Sequence, residues 1–341
     1  MSFNNILVIK LKQPGDVLVS SPVLAALKDA WPRARVSYLV PEAAQEMISH
    51  HPFLDRVYAA ERGATWGRSL ALLRELRRAR FDLVLELSGG DRGAFHAWIT
   101  KARERLGFAY PGRARWHRYC LTRLLPPPPL KMHLVEHNLE AVRALGIEAR
   151  TPKLQLFWPA QVDDRIRNLM AASSLQYKGF VVMHPAAGWR FKCWTPAGYA
   201  RVIEALRLAK NLPVVLTGSP AHHEQELAAA ILRETRSQPV NLVGKLTLKE
   251  LGALIHQARF FFGVDSAPMH LAAAVGTPAV ALFGPSGVYN WGPWGEGHLV
   301  IQKDWDCVPC GQDGCEGSKV SRCLEAITPE EVLGAMEGHF P

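Results

Sequence analysis

Four short stretches of the chain carry side chains able to hold an anion or move a proton. Asp265-Ser266-Ala267-Pro268-Met269-His270 places an acid, a hydroxyl and an imidazole within six residues. Gln13-Pro14-Gly15-Asp16 offers a glycine, where a backbone can approach a ligand closely, next to a carboxylate. That carboxylate suits a general base, or is simply a negative charge at a helix start. HPAAGWRFKCW, from His184, holds Gly188, which allows a tight bend, and the cations Arg190 and Lys192. Lys192 could clamp a diphosphate leaving group in an enzyme without a metal, or be a surface lysine preceding a buried Trp194. TGSPAHHEQE, from Thr217, supplies Gly218 and Ser219 for close approach and Glu224 for a ribose hydroxyl. Its plainer reading is a capped helix start with Pro220 in the first turn.

Each stretch follows an apolar run that reads as a buried strand and precedes a helix-compatible segment. The pattern is sharpest in FFFGVDSAPMHLAAAVGTPAVALFGP. Phe260–Val264 reads as a strand, Asp265 and Ser266 are N-cap types, 268–275 reads as a helix, and Ala279–Phe283 as the next strand. This β-turn-α-turn-β unit presents helix N-terminal amides at the carboxyl end of a parallel strand, where open α/β sheets bind ligands. An ordinary crossover with a capped helix has the same outline; an acid, a hydroxyl and a histidine together in one turn favour the site.

Strands are expected at 5–11, 35–40, 56–58 and 81–87, with helices at 17–30, 43–49, 66–79 and 133–145. After 106–108 the pattern weakens into a basic, aromatic stretch at 110–119, and Pro126–Pro129 fits neither a helix nor an inner strand. Residues 146–160 lose periodicity and read as a connection. Alternation resumes with strands at 180–184, 214–217 and 241–243, helices at 196–209, 220–234 and 246–258, then the unit above and a terminal helix at 329–338. The expected class is α/β with two doubly wound, Rossmann-like domains, 1–155 and 156–341, facing a central cleft. The terminal helix is expected to pack back on the first domain.

Composition bounds the class. The 341 residues are 48% hydrophobic and 21% charged, as in soluble globular proteins, and no apolar run approaches the length of a membrane span. The N-terminus reads as a first strand, not a signal segment, because Lys10 and Lys12 interrupt it; a cytoplasmic protein is expected. Net charge is +9, and residues 1–155 hold 24 Lys and Arg against 14 Asp and Glu, so the excess sits in the first half. That points to an anionic partner there, whether nucleic acid, a phosphorylated substrate or bilayer headgroups, or to a solvated basic face. No GxGxxG occurs, which argues against a nicotinamide enzyme. Cys307, Cys310, Cys315 and Cys323 crowd into seventeen residues, a spacing that fits metal ligands, a redox pair or reduced thiols packing a loop.

Taken together, the turns favour diphosphate binding in the second half and a carboxylate from the first, the division of a nucleotide-sugar glycosyltransferase. The segments ILVIKLKQPGDVLVSSPVLAALK, HPAAGWRFKCWTPAGYARVIEAL, VVLTGSP and GVDSAPMHLAAAVGTPAVALFGP resemble the ADP-heptose lipopolysaccharide heptosyltransferases, of GT-B architecture. With HLVEHNL at His133, the chain is most similar to the heptosyltransferase III branch, which adds a side-branch heptose to the second inner-core heptose. The resemblance implies inversion without a required metal or cofactor, with Asp16 on the catalytic base. It puts Lys192, Ser266, Ala267 and His270 on donor contacts with Asp265 beside them, and Glu224 near the ribose-binding acid. Gly188, Gly218 and Ser219 join the donor set, Lys192 also counts as catalytic, and Gly15, Arg113, Arg115 and His133 are assigned to the acceptor. The implied partners are ADP-heptose, a phosphorylated, lipid A-linked inner-core acceptor and the cytoplasmic face of the inner membrane, with no nucleic acid. Ala186 and Ala187 depart from relatives with phosphate-binding hydroxyls, Ala267 replaces a glycine of other branches, and only part of the family has the cysteine cluster. Rival readings are another branch of the family, an enzyme of the same architecture using a different nucleotide sugar, an epimerase, or a non-catalytic nucleotide-sugar or nucleic-acid binder.

Overall fold

The structure is a computed structural model that describes residues 2–110, 112, 114–149 and 153–339. The chain divides into two compact units, Met1–Phe157 and Trp158–Pro341.

The first unit runs β1 (Asn5–Ile9), α1 (Pro14–Leu18), α2 (Pro22–Ala30), β2 (Arg35–Pro41), β3 (Arg56–Ala60), α3 (Trp66–Arg78), β4 (Leu83–Glu86), α4 (Asp91–Thr100), β5 (Glu104–Phe108), α5 (Ala114–Cys120), β6 (Arg123–Leu125) and α6 (Leu134–Arg143). Its six strands are all parallel, in the order β3-β2-β1-β4-β5-β6. Ile6, Leu7, Val8 and Ile9 have no exposed surface. A strand covered on both faces must be apolar without alternation, which is how β1 reads. Right-handed crossovers put α3, α4 and α5 on one face of the sheet, α4 packing on both neighbours, while α2 and α6 pack together on the other.

The second unit runs α7 (Ala160–Ala172), β7 (Val181–His184), α8 (Pro196–Lys210), β8 (Val214–Leu216), α9 (His222–Glu234), β9 (Val240–Asn241), α10 (Leu248–Gln257), β10 (Phe260–Val264), α11 (Ala267–Ala274), β11 (Ala279–Phe283), α12 (Val288–Trp291), β12 (Leu299–Gln302), α13 (Arg322–Glu325) and α14 (Pro329–His339). Its sheet is also fully parallel, ordered β12-β11-β10-β7-β8-β9. Gly263 is needed in β10, because a Cβ there would lie 2.7 Å from the His184 carbonyl oxygen of β7. The core joins Val181, Met183, Trp194, Tyr199 and Phe262 to Val332 and Met336. The terminal helix α14, which supplies the last two, packs on α8 and β12 of this same unit.

Several elements differ from expectation. The single helix expected at 17–30 is two, α1 and α2, because Pro22 offers no amide to continue the first. The segment expected helical at 43–49 is a 3-10 helix, Glu42–Met47. The aromatic stretch after β5 contains α5, and 160–172 is α7, which buries only Ile166 and Met170 and so leaves a faint periodic signal. The short strands β6 and β12 were not expected at all.

Candidate active site

In each sheet the strand order reverses once, between β1 and β4 in the first unit and between β7 and β10 in the second. The crevice at such a reversal is where doubly wound sheets bind ligands. The candidate side chains collect at these two places.

At the β7/β10 reversal the turn after β7 carries Lys192, at the end of a 3-10 turn, Arg190–Lys192. Its neighbours hold it. Phe191 and Trp194 are buried, Trp194 Nε1 donates to the Ile327 carbonyl at 2.9 Å, and Ser321 Oγ donates to the Phe191 carbonyl at 2.7 Å. Lys192 Nζ donates to Asp265 Oδ2 at 2.6 Å, joining this turn to the one after β10. Asp265 is buried, and Lys192 keeps about a quarter of its side chain exposed. Ser266 is the N-cap residue of α11, yet its Oγ is buried without a hydrogen-bond partner. Ala267 opens the helix, Pro268 occupies its first turn and His270 is buried one turn in. A helix start carries positive potential, and an unengaged hydroxyl beside it is a ready donor to a phosphate oxygen.

Next along the edge, Glu224 lies in the first turn of α9 and is buried. Its Oε2 accepts from the Ser219 amide at 2.7 Å, closing the turn after β8, and sits 3.4 Å from where a Gly218 Cβ would lie. His184 Nε2 approaches the same oxygen at 3.7 Å, while His184 Nδ1 meets Thr217 Oγ1 at 3.1 Å. The Thr217 hydroxyl also lies 3.1 Å from the Met183 carbonyl. Burial pushes the His184 imidazole down to about 4, against the pull of Glu224. Gly188 is exposed, has no left-handed φ, and a Cβ on it would meet nothing within 4 Å. The bend does not require a glycine there, contrary to the expectation.

At the β1/β4 reversal Asp16 is the third residue of α1. Its Oδ2 accepts from the Gln13 amide at 3.2 Å, one half of a capping box, and Gly15 beside it is buried. The helix-start role is therefore realised, with the carboxylate still half-buried at the edge. Behind it runs a polar network inside the first unit. Lys10, at the end of β1, is buried and donates to the Leu87 carbonyl at 3.0 Å and to Asn138 Oδ1 at 2.8 Å. Burial lowers its ammonium to about 8, and the carboxylates of Asp16 and Glu86 pull it back up. Glu86 ends β4 fully buried, accepting from the amides of Ser88 at 2.9 Å and Gly89 at 3.0 Å; burial raises its pKa. Tyr110 lies over Gly89, whose φ is +64° and where a Cβ would fall 2.2 Å from the ring, and its hydroxyl is 2.8 Å from His137 Nε2.

Comparison with known proteins shows the family. The family model of glycosyltransferase family 9 (heptosyltransferase) matches residues 69–321. The chain belongs to glycosyltransferase family 9. Lipopolysaccharide heptosyltransferase 3 of Escherichia coli K12 is 31% identical over 340 residues, covering 97% of this chain and 96% of that one. A family 9 glycosyl transferase structure from Veillonella parvula superposes with a TM-score of 0.85 at 22% identity over 99% of this chain and 97% of its own. The structure of an Escherichia coli heptosyltransferase with ADP gives 0.76 at 19% identity, over 98% and 99%. The fold is thus GT-B, two parallel α/β units, and the protein is a glycosyltransferase.

Of the expected acceptor residues, Gly15 lies beside Asp16 at the start of α1. Arg115 is exposed on α5, and Arg113 falls outside the described residues. His133 is the N-cap of α6, its Nδ1 accepting from the Val135 amide at 3.2 Å, so that nitrogen holds a helix start. The same segment supplies His137 and Asn138 to the network behind Asp16, which the sequence reading passed over along with Lys10, Glu86, Tyr110 and His184. A signal existed: Lys10 and Glu86 are charges inside apolar strand runs, and such residues are rarely fully buried unless paired. The four clustered cysteines are thiols, Cys323 buried and Cys307 and Cys310 exposed. Among the described residues no three His, Cys, Asp or Glu side chains form a metal-holding group.

Proposed function

We propose that this glycosyltransferase moves heptose from ADP-heptose onto an inner-core heptose of lipopolysaccharide, in the manner of the heptosyltransferase III branch. Asp16 takes the proton of the acceptor hydroxyl as its oxygen attacks the anomeric carbon. The bond from that carbon to the diphosphate breaks, its electron pair leaves with ADP, and the configuration inverts. Lys192, Ser266 and the amides at the start of α11, with Ala267, steady the departing charge, and His270 lies against them. Glu224, with Gly218 and Ser219, takes the ribose. Gly188 and Asp265 border the diphosphate, and Gly15, Arg113, Arg115 and His133 meet the acceptor. No metal is required. The enzyme works at the cytoplasmic face of the inner membrane, where its lipid-linked substrate lies, with residues 1–155 as the acceptor side and 156–341 as the donor side.

What carries this reading is the meeting of Lys192 with the start of α11 at the strand reversal of the second sheet. A cation, a free hydroxyl and a helix N-terminus there need no ion to hold a diphosphate. The test is transfer by purified protein from ADP-heptose to a truncated, phosphorylated core carrying two heptoses, beside one carrying a single heptose, with product mass as readout. One added heptose on the two-heptose acceptor alone is expected. Transfer to the one-heptose acceptor would move the chain to another branch, and ADP-heptose bound without transfer to either would overturn the acceptor. Activity lost to a chelator and restored by zinc would overturn the metal-free reading.

A further inference from the structure

The layer formed by α3, α4 and α5 carries an outward surface that the chemistry above does not use. Trp66, the first residue of α3, is 89% exposed, and Leu70, one turn on along the same face, is 38% exposed. Trp116 on α5 is 46% exposed. Leaving such large apolar side chains in water is unfavourable, so exposed aromatic and aliphatic groups gathered on one helix layer point to a partner. Their surroundings say which kind. Residues 61–123 hold 14 Lys and Arg against 6 Asp and Glu. Of those six, Glu86 is buried, Glu61 and Glu75 are paired with Arg68 and Arg56, and Asp82 accepts from the Asn4 and Asn5 amides. Glu104 is half-buried, and Asp91 is exposed but faces His117. Arg62 and Arg92 are exposed near the start of α3, Arg92 also reaching the Glu61 carbonyl, within a segment of net positive charge. Aromatic and aliphatic side chains ridged outward and flanked by arginines are the composition of a bilayer-interface helix. A nucleic acid would instead want its stacking rings inside a groove that tracks phosphates.

The position fits. Helices of a parallel sheet start at its carboxyl edge, so Trp66 of α3, Arg92 of α4 and Trp116 of α5 share an edge with Asp16 of α1. A lipid-anchored acceptor must present its sugar at that edge.

We propose that the carboxyl-edge end of the α3-α4-α5 layer seats this chain on an anionic bilayer, Trp66, Leu70 and Trp116 entering the headgroup region while Arg62 and Arg92 pair with lipid phosphates. The proposal rests on the lipid-linked acceptor reading above. Its test, made without any sugar nucleotide, is separate: co-sedimentation with phosphatidylcholine vesicles, with and without phosphatidylglycerol. The wild-type chain sediments with the anionic vesicles, less as salt rises. Arg62→Gln/Arg92→Gln weakens partitioning about tenfold or more, and Trp66→Ser/Trp116→Ser weakens it without removing the salt dependence. Both variants keep the wild-type melting temperature and full transfer to a deacylated, water-soluble acceptor, losing rate only with acceptor in vesicles. Variants that sediment like wild type, sedimentation equal on phosphatidylcholine alone, or vesicles displaced by a single-stranded oligonucleotide would each overturn it. Vesicle binding without transfer to the soluble acceptor would leave the surface standing and remove the heptosyltransferase reading instead.

Discussion

Lys192 Nζ and Asp265 Oδ2, 73 residues apart in sequence, meet at 2.6 Å and tie together the two turns that flank the strand reversal of the second unit. The structural tie and the proposed binding role of Lys192 can be separated by mutation. Lys192→Ala should weaken ADP binding about 10- to 100-fold through loss of a charge-assisted hydrogen bond. It should also cost about 1–3 kcal/mol of stability, because Asp265 is left buried and unpaired. Lys192→Ala/Asp265→Asn should recover the melting temperature but not the ADP affinity. Recovery of both, read by calorimetry and thermal unfolding, would make Lys192 a structural partner only.

Asp16→Asn keeps an acceptor for the Gln13 amide and so preserves the helix start. Turnover should fall by about two to four decades, with ADP-heptose affinity close to wild type. Wild-type turnover in that variant would remove Asp16 as the base.

Glu224 tests differently, since its Oε2 is already engaged by the Ser219 amide. Glu224→Gln retains that acceptor and should lose nucleotide affinity with little change in melting temperature, whereas Glu224→Ala should lose both, the stability by about 1–3 kcal/mol. Affinity for ADP equal to wild type in the glutamine variant would confine Glu224 to closing its turn.

The buried histidines give a pH signature. His184 is held down to about 4 by burial, below the 6.5 of an exposed imidazole. The unfolded chain therefore takes up a proton at a pH where the folded one refuses it. Stability is full above about 6.5 and is lost as pH falls from there through about 4, by on the order of 1–3 kcal/mol for this group. His137, in the first unit, is lowered to about 4 by burial and behaves alike. Melting temperature measured from pH 7 down to 4 should drop, and His184→Gln should flatten the drop; an unchanged slope in that variant would show that His184 does not titrate this way.

Strand-helix alternation and the loop chemistry of the strand ends were legible because they are local. Phe260–Val264 announces a strand covered on both faces, and Asp265, Ser266 and Pro268 announce the helix after it. What could not be read is what depends on pairing across the chain. Lys192 and Asp265 each stood out in its own turn, but nothing in either turn says that they touch. Asn138 reaches Lys10 across 128 positions, and only the folded sheet makes a buried amide its partner. His133, His137 and Asn138 share one segment. Which of them caps the helix and which faces inward depends on a rotation that one helical turn does not print. β6 and β12 escaped because runs of three and four residues carry too little alternation to stand out.

Among the described residues, one hydrophobic cluster gathers around Leu7, Leu39 and Val84 in the first unit and another around Val181, Tyr199 and Phe262 in the second, with α14 returning to the latter. The two clusters share no residue. On the donor and acceptor assignment proposed above, the second unit can be inherited as a cartridge: recombination near residue 157 would exchange acceptor preference among related enzymes while the second unit passes on unchanged.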